Sequence, residues 1–434
     1  MNIDELRRAV RGTVLAAGDD GFERARRPWN LAVDQPVRAV VEAADAADVA
    51  ALVRHARLAG LTIATQPSGH GATGDVRDTV LLRTARLDEL DVRPAERTAR
   101  AGAGVPWGRV LEAASPHGLT GLAGSSPVVT VTGYTLGGGL SWFGRRHGFA
   151  SGAVRAFDVV DAEGTPARVT AASDPDLFWA LRGGGGDLAI VTAVEFDLFP
   201  APHLYGGRML WPAAQAPAVL DAFREITATA PDELTTWFEL VQYPGAEPMA
   251  AVDAAFLGEA ADAEALLRPL DKVAGRLSDA RRALPVAELG AITAEPTDPG
   301  PGRSRAELLT GLTDEVAAAL LSRPVAPLLT VQLRHLGGAL TRPSDTAAGH
   351  LDEPFALYMF GVPGADGGAA VRARQDEIAN ALVPHTTGRR PFTFLSPGDR
   401  AASAFTAETL ARLRTLKRSR DPRGLFRSNY PVLA

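Results

Sequence analysis

The sequence predicts an α+β protein built in two domains, and three observations carry that reading. Up to about residue 200, short apolar and β-branched runs alternate with segments of helical spacing. A composition break falls at Pro200-Ala201-Pro202. Beyond it, strand-like runs follow one another with helical segments between some of them, the pattern of an antiparallel sheet with helices on one side. The division is set at residues 1–202 and 203–395, with a C-terminal segment 396–434.

The first part reads in order as follows. Arg38 to Ala43 is a strand, and Asp48 is placed to cap a helix running to Leu58, with Gly60 as its stop. Leu61 to Thr65 is a short strand that opens into Gln66-Pro67-Ser68-Gly69-His70-Gly71-Ala72, a tight loop of small residues. Thr79 to Leu82 is a strand, and residues 91–93 and 98–101 form a hairpin around Pro94-Ala95-Glu96-Arg97. Trp107 to Ala114 is helical, and residues 154–199 give three strands around a helix at Pro175 to Leu181. In the second part, 205–211, 235–242, 250–256, 328–334 and 355–360 are strand-like, while Leu266, Leu267, Leu270, Val273 and Leu277 share one helical face of 263–277. Residues 297–305 form a loop, and a last helix, 406–418, precedes Asp421-Pro422.

Bulk properties exclude several classes. The 434 residues carry a net charge of −6, so nothing favours nucleic acid or an acidic membrane surface as a partner. No apolar stretch approaches the roughly 20 residues that span a bilayer, and no signal-peptide core follows the charged N-terminus, so a cytoplasmic location is expected. There is no cysteine, hence no disulfide, no thiolate metal site and no cysteine nucleophile; no metal is expected. Gly102-Ala103-Gly104 follows a strand, but Trp107 stands where the third glycine of a dinucleotide fingerprint belongs, which argues against a nicotinamide Rossmann unit.

The chemistry lies in the glycine runs. The loop around His70 exposes several backbone N–H groups at close range, a geometry suited to an anion, and holds an imidazole against whatever lies there. Downstream come Gly124-Ser125-Ser126-Pro127-Val128-Val129-Thr130-Val131-Thr132-Gly133-Tyr134-Thr135-Leu136-Gly137-Gly138-Gly139-Leu140 and Arg182-Gly183-Gly184-Gly185-Gly186-Asp187-Leu188-Ala189-Ile190-Val191-Thr192. The C-terminus adds Asp421-Pro422, Phe426 and Asn429. Taken together and in this order, these motifs resemble the berberine-bridge-enzyme-like FAD-linked oxidases of the vanillyl-alcohol oxidase family.

The resemblance implies a PCMH-type FAD-binding domain with a separate antiparallel-sheet substrate domain, and a C-terminal segment returning to the flavin. It implies that the His70 imidazole attacks the 8α-methyl carbon of FAD, and that Gln66, Pro67, Ser68, Gly69, Gly71, Ala72, Gly124, Ser125, Ser126, Val129, Thr130, Gly133, Thr135, Gly137, Gly138, Leu140, Gly186, Ile190, Val191 and Asn429 line the cofactor. Ser126 stands where many relatives carry a second, cysteinyl tether, so FAD is expected to be covalent through His70 only. Thr130 and Thr132 replace residues that are usually glycine, and Asp187 replaces an asparagine, adding a negative charge beside an anionic cofactor unless it points away. Val129 occupies the position where small residues accompany reaction with oxygen.

On the substrate side, residues 332–339 and 355–360 resemble strands on which relatives place catalytic groups. Alternation sets Ala356, Tyr358 and Phe360 on one face and Phe355, Leu357 and Met359 on the other. Tyr358 is the leading acid–base candidate, with His335 and Tyr134 behind it. Phe392-Thr393-Phe394 stands where a Tyr-x-Asn segment is usual, and Trp237, Tyr243 and Phe394 are candidates to line an apolar pocket. The expected activity is oxidation of a small or medium organic substrate, such as a natural-product intermediate, with hydride passing to flavin N5 and O2 as acceptor. The alternatives are a flavin dehydrogenase using another acceptor, and a non-redox cyclase or scaffold retaining the flavin fold.

Overall fold

The computed structural model describes residues 3–434. Among these residues three main sheets form. The first has the order Thr13–Ala16, Ala39–Glu42, Val80–Arg83, Ile63–Thr65 and Phe426–Arg427, parallel except at Thr13–Ala16. Its parallel register places the chain leaving Thr65, and hence the His70 loop, at the carboxyl end of the strands. The second is antiparallel: Leu90–Arg93, Thr98–Gly102, Ile190–Asp197, Val154–Val160, Pro166–Val169.

The third sheet is antiparallel and runs through Ser278–Asp279, Leu204–Pro212, Met249–Leu257, Leu234–Val241, Thr330–His335, Phe355–Gly361 and Arg303–Leu309. Its strands alternate strictly. Leu234, Phe238, Leu240, Val331, Leu333, Phe355, Leu357 and Met359 pack beneath helices Ala216–Thr229, Ala260–Asp271, Asp314–Leu321 and Ala369–Ala381, with Phe223 at 0% exposure among them. The opposite face carries Trp237, Glu239, Gln332, Arg334 and Tyr358, and turns toward the glycine runs. Trp237 stacks on Trp142, ring centroids 3.7 Å apart at 12°, so an apolar core continues from the sheet into the segment that follows the Gly137–Gly139 run.

Three local expectations are corrected. The helix is Ala46–Ala59, capped by Asp45, whose carboxylate accepts from the Asp48 N–H at 3.0 Å. Asp48 is instead buried and accepts from the backbone N–H groups of Arg11, Gly12 and Ala44. The helix expected to reach Leu277 ends at Asp271, because the Leu277 N–H already bonds to the Leu210 carbonyl at the edge of the large sheet, leaving Leu277 59% exposed. The loop 297–305 stops at Gly302, where the strand Arg303–Leu309 begins and pairs with Phe355–Gly361.

Candidate active site

A single cavity of about 760 Å³ lies between the glycine runs and the polar face of the large sheet. Small-molecule sites usually enclose roughly 300–1,000 Å³, so this one has room for a large ligand. Gln66, Pro67, Ser68, Gly69, His70 and Gly71 line it, as do Gly124, Ser125, Ser126, Val129, Thr130, Gly133, Tyr134, Gly137 and Leu140, then Gly186, Ile190, Val191 and Asn429. The far wall presents Arg208, Glu239, Gln332, Arg334, Tyr358 and Phe394. Asn30 closes the near side: its amide donates to the Gly302 carbonyl at 2.9 Å and accepts from the Gly302 N–H at 3.0 Å, tying the chain beside Trp29 to the sheet.

The His70 loop is held from behind. Ser68 accepts a backbone bond from Trp29 at 2.9 Å, and the Trp29 indole stacks on the His70 ring at 4.3 Å. Gly69 has φ +83°, and a Cβ there would lie 2.9 Å from Pro28 Cβ, so only glycine lets the loop turn this tightly. Gln66 donates to Asn429 Oδ1 at 3.0 Å, linking this loop to the C-terminal segment. Burial lowers the His70 pKa to about 4, so the imidazole is neutral with a lone pair free at physiological pH.

Several expected residues sit outside the cavity wall. Ala72, Thr135 and Gly138 are buried behind it. His335 does not reach it either: alternation sends its side chain to the opposite face from Arg334. There its Nε2 lies 3.0 Å from Arg145 Nη1, and burial with that guanidinium lowers its pKa to about 3. Asp187 points away from the cavity. Its carboxylate accepts from the backbone N–H groups of Ser428 at 3.0 Å and Val432 at 2.8 Å, with Lys417 Nζ at 3.9 Å. Phe392 takes a packing role in place of a polar partner, since a Cβ on Gly185 would stand 3.0 Å from its ring.

Burial raises the pKa of two of the cavity tyrosines, Tyr134 and Tyr358, despite the nearby Arg334. Each phenol is therefore protonated at neutral pH. The Tyr134 ring is clamped, because a Cβ on Gly124 or Gly139 would come within 3.2 or 2.5 Å of it, and its hydroxyl has no partner.

The sheet wall is more polar than the sequence reading anticipated. Register sets Arg208, Asp253, Trp237 and Arg334 side by side in one row, and Glu239, Gln332 and Tyr358 in the next. Arg208 pairs with Asp253 through two bonds of 2.7 Å and with Glu239 at 3.2 Å. Burial, then the Asp253 charge, hold the Glu239 carboxyl well above the usual carboxylate range, and its Oε1 has no partner. The missed signal was a lone acid inside the apolar run Leu234-Thr235-Thr236-Trp237-Phe238-Glu239-Leu240-Val241. A charge on a strand that is otherwise core needs a partner or a function.

The residues present fit FAD. Glycines let the backbone approach a bound group closely, while His70 Nε2, Gln66 Oε1, Thr132 Oγ1, Tyr134 OH and Ser428 Oγ are buried without protein partners.

The comparisons agree with that fit. Residues 37–170 match the model of an FAD binding domain. (R)-6-hydroxynicotine oxidase of Paenarthrobacter nicotinovorans is 26% identical over 98% of this chain and 97% of its own length. The chain carries an FAD binding domain over residues 37–170. Solved structures extend the likeness over the whole length of the chain. BBE-like 1 of Physcomitrella patens superposes with a TM-score of 0.87 at 19% identity, covering 100% of this chain and 99% of that one. The Acremonium strictum glucooligosaccharide oxidase gives 0.84 at 22%, covering 99% and 98%. The FAD-dependent monooxygenase tpcD of Cochliobolus heterostrophus is 33% identical, but over 43% of this chain and 37% of that protein. The fold is that of the PCMH-type FAD-linked oxidases.

Proposed function

We propose that residues 1–202 together with 396–434 hold FAD, tethered through His70 alone, and that residues 203–395 present a small apolar organic substrate to it for two-electron oxidation. The observation that carries this reading is the single cavity joining the His70 loop, the glycine runs and the sheet wall with Tyr358. When bound, FAD supplies the electron acceptor, and O2 takes the electrons onward. Related structures include one described as holding a 6-S-cysteinyl, 8α-N1-histidyl FAD. This chain has no cysteine, so only the histidyl link is open to it.

The chain's own residues divide the work. Gly69, Gly71, Gly124, Gly137 and Gly186 let the backbone close on the cofactor, and Gln66 with Asn429 fixes the loop. Phe394, Trp237 and Leu140 exclude water from the substrate side. Tyr358 and Glu239 are the two groups on that wall able to hold or pass the substrate proton; Tyr134 lies across from them.

The test is direct. Acid-denatured protein run on a gel should fluoresce under ultraviolet light, and His70→Ala should bind flavin that acid releases. A dark parent band with free flavin in the supernatant would refute the tether. Enzyme reduced anaerobically should reoxidise on admission of air and form peroxide. Persistence of the reduced form would turn the reading to a dehydrogenase, and a substrate converted without flavin reduction would turn it to a non-redox role.

A further inference from the structure

Arg334 is a buried cation without a carboxylate partner, on the wall of the substrate cavity. Among the described residues it makes no ion pair. Its Nε and Nη2 both donate to Gln332 Oε1, at 3.0 and 2.7 Å, and its Nη1 meets no protein acceptor. The guanidinium is walled by aromatic rings instead: its carbon lies 3.9 Å from the Trp237 centroid, 4.9 Å from Phe394 and 5.1 Å from Tyr358.

Other buried or partly buried arginines are treated differently. Arg83 donates to three backbone carbonyls, of Ala25, Gln66 and Arg27. Arg208, only partly buried, is matched by Asp253; Glu239 lies 3.2 Å from Arg208 with its carboxyl held above the usual carboxylate range, so it offers Arg334 no charge. Glu295, at the rim of the cavity, is within electrostatic range but forms no ion pair with it.

A cation taken out of water needs an anion or a set of acceptors close by. Aromatic faces offset part of that cost and fix the plane of the guanidinium, and the edge left over suits the two oxygens of a carboxylate. Register holds the group rigidly, between Trp237 on one neighbouring strand and Ala356 on the other. Trp237 is in turn stacked on Trp142, so the platform is anchored in the core. The walls around this cation are aromatic, which suits an apolar ligand body.

We propose that Arg334 is the recognition group for an acidic function on the substrate, so that the site takes an organic carboxylate with an apolar, ring-sized body. This rests on the reading of the sheet wall as the substrate side of the flavin cavity. It goes beyond that reading in naming the charge and class of the molecule.

Calorimetry on the holoenzyme provides the test, with benzoate as probe and neutral benzamide as its isostere. Benzoate should bind more than about tenfold tighter than benzamide. Arg334→Met should abolish the preference while circular dichroism and flavin content stay at parental levels, and Arg334→Lys should restore part of it. Equal binding of the two probes, no benzoate binding to the parent, or undiminished benzoate binding to Arg334→Met would overturn the proposal. So would preferential binding of benzylammonium, which would assign the site to Glu239 and Glu295. Loss of flavin in Arg334→Met would overturn it by giving the cation to the cofactor. Flavin content is read separately, by gel fluorescence. A flavin-free parent would therefore defeat the FAD reading while the benzoate comparison still decided the role of Arg334.

Discussion

The residues that matter here are ordinary side chains in unusual surroundings. His70 is neutral because burial against Trp29 penalises its charge, which leaves the imidazole nucleophilic at a pH where an exposed histidine is partly protonated. Tyr358 is moved in the opposite chemical sense. Burial outweighs the nearby Arg334, so the phenol keeps its proton at rest and accepts another group's proton only if that balance changes on substrate binding. Tyr358→Phe keeps the ring that packs against Phe394 at 5.3 Å and removes only the hydroxyl. If the hydroxyl handles the substrate proton, flavin reduction should slow by about 10²-fold or more with flavin content unchanged. Stopped-flow reduction across pH reads this directly. A rate equal to the parent's would leave Tyr358 a packing residue and pass the proton to Glu239 or to water.

The glycine run shows how an element acts without touching the ligand. Gly138 has φ +94°, and a Cβ there would meet Ala348 Cβ at 3.4 Å and the Phe149 ring at 3.5 Å, away from the cavity. Its neighbours Gly137 and Leu140 do line the cavity. Gly138→Val should therefore act by strain, on the order of 1–3 kcal/mol, displacing the backbone on either side and lowering flavin occupancy. Full occupancy and an unchanged Tm in that variant would show that the run tolerates the shift. The run itself was legible in the sequence because glycines at close spacing have few other uses. The placement of Ala72, Thr135 and Gly138 behind the wall was not, since a motif fixes which segment is present and only backbone dihedrals fix which of its residues face inward. The strands of the large sheet were legible as alternating patterns. Their register was not, and it is register that brings Glu239, Gln332 and Tyr358 into one row from three separate segments of the chain.

At the scale of the molecule, the C-terminal segment closes the cofactor side through a buried ionic knot. Lys417 Nζ donates to Asp421 Oδ2 at 2.8 Å and to the carbonyls of Asp187 and Phe426, at 2.6 and 2.7 Å. Asp421 in turn accepts from the N–H groups of Leu425 and Phe426, both at 2.8 Å, which sets the strand Phe426–Arg427 against Ile63 and Ala64 and brings Asn429 to Gln66. Lys417→Met would strand two buried carboxylates, and a loss of about 3–5 kcal/mol in chemical denaturation is expected; a loss below about 1 kcal/mol would show that the backbone donors alone suffice. Protonation sets a second global property. His70 and His147 have pKa values lowered to about 4, and His335 to about 3, each first by burial. Unfolded, each titrates near 6.5, so between pH 6.5 and about 4 the unfolded chain binds more protons at all three, and acid favours unfolding. Glu239 works the other way: raised in the fold, it keeps a proton that the unfolded chain has released above the usual carboxylate range, so its contribution is present in acid and fades as pH rises through its raised pKa. Three histidines outweigh one carboxyl below pH 6.5, where stability should rise with pH by up to about 2.7 kcal/mol per unit. Above it only the carboxyl remains, and stability should decline gently. Denaturation midpoints at pH 5, 6.5 and 8 should therefore peak at the middle value, and His335→Gln should flatten the acid limb by about one half. A midpoint that is flat from pH 5 to 6.5 would mean that these histidines are charged in the folded protein.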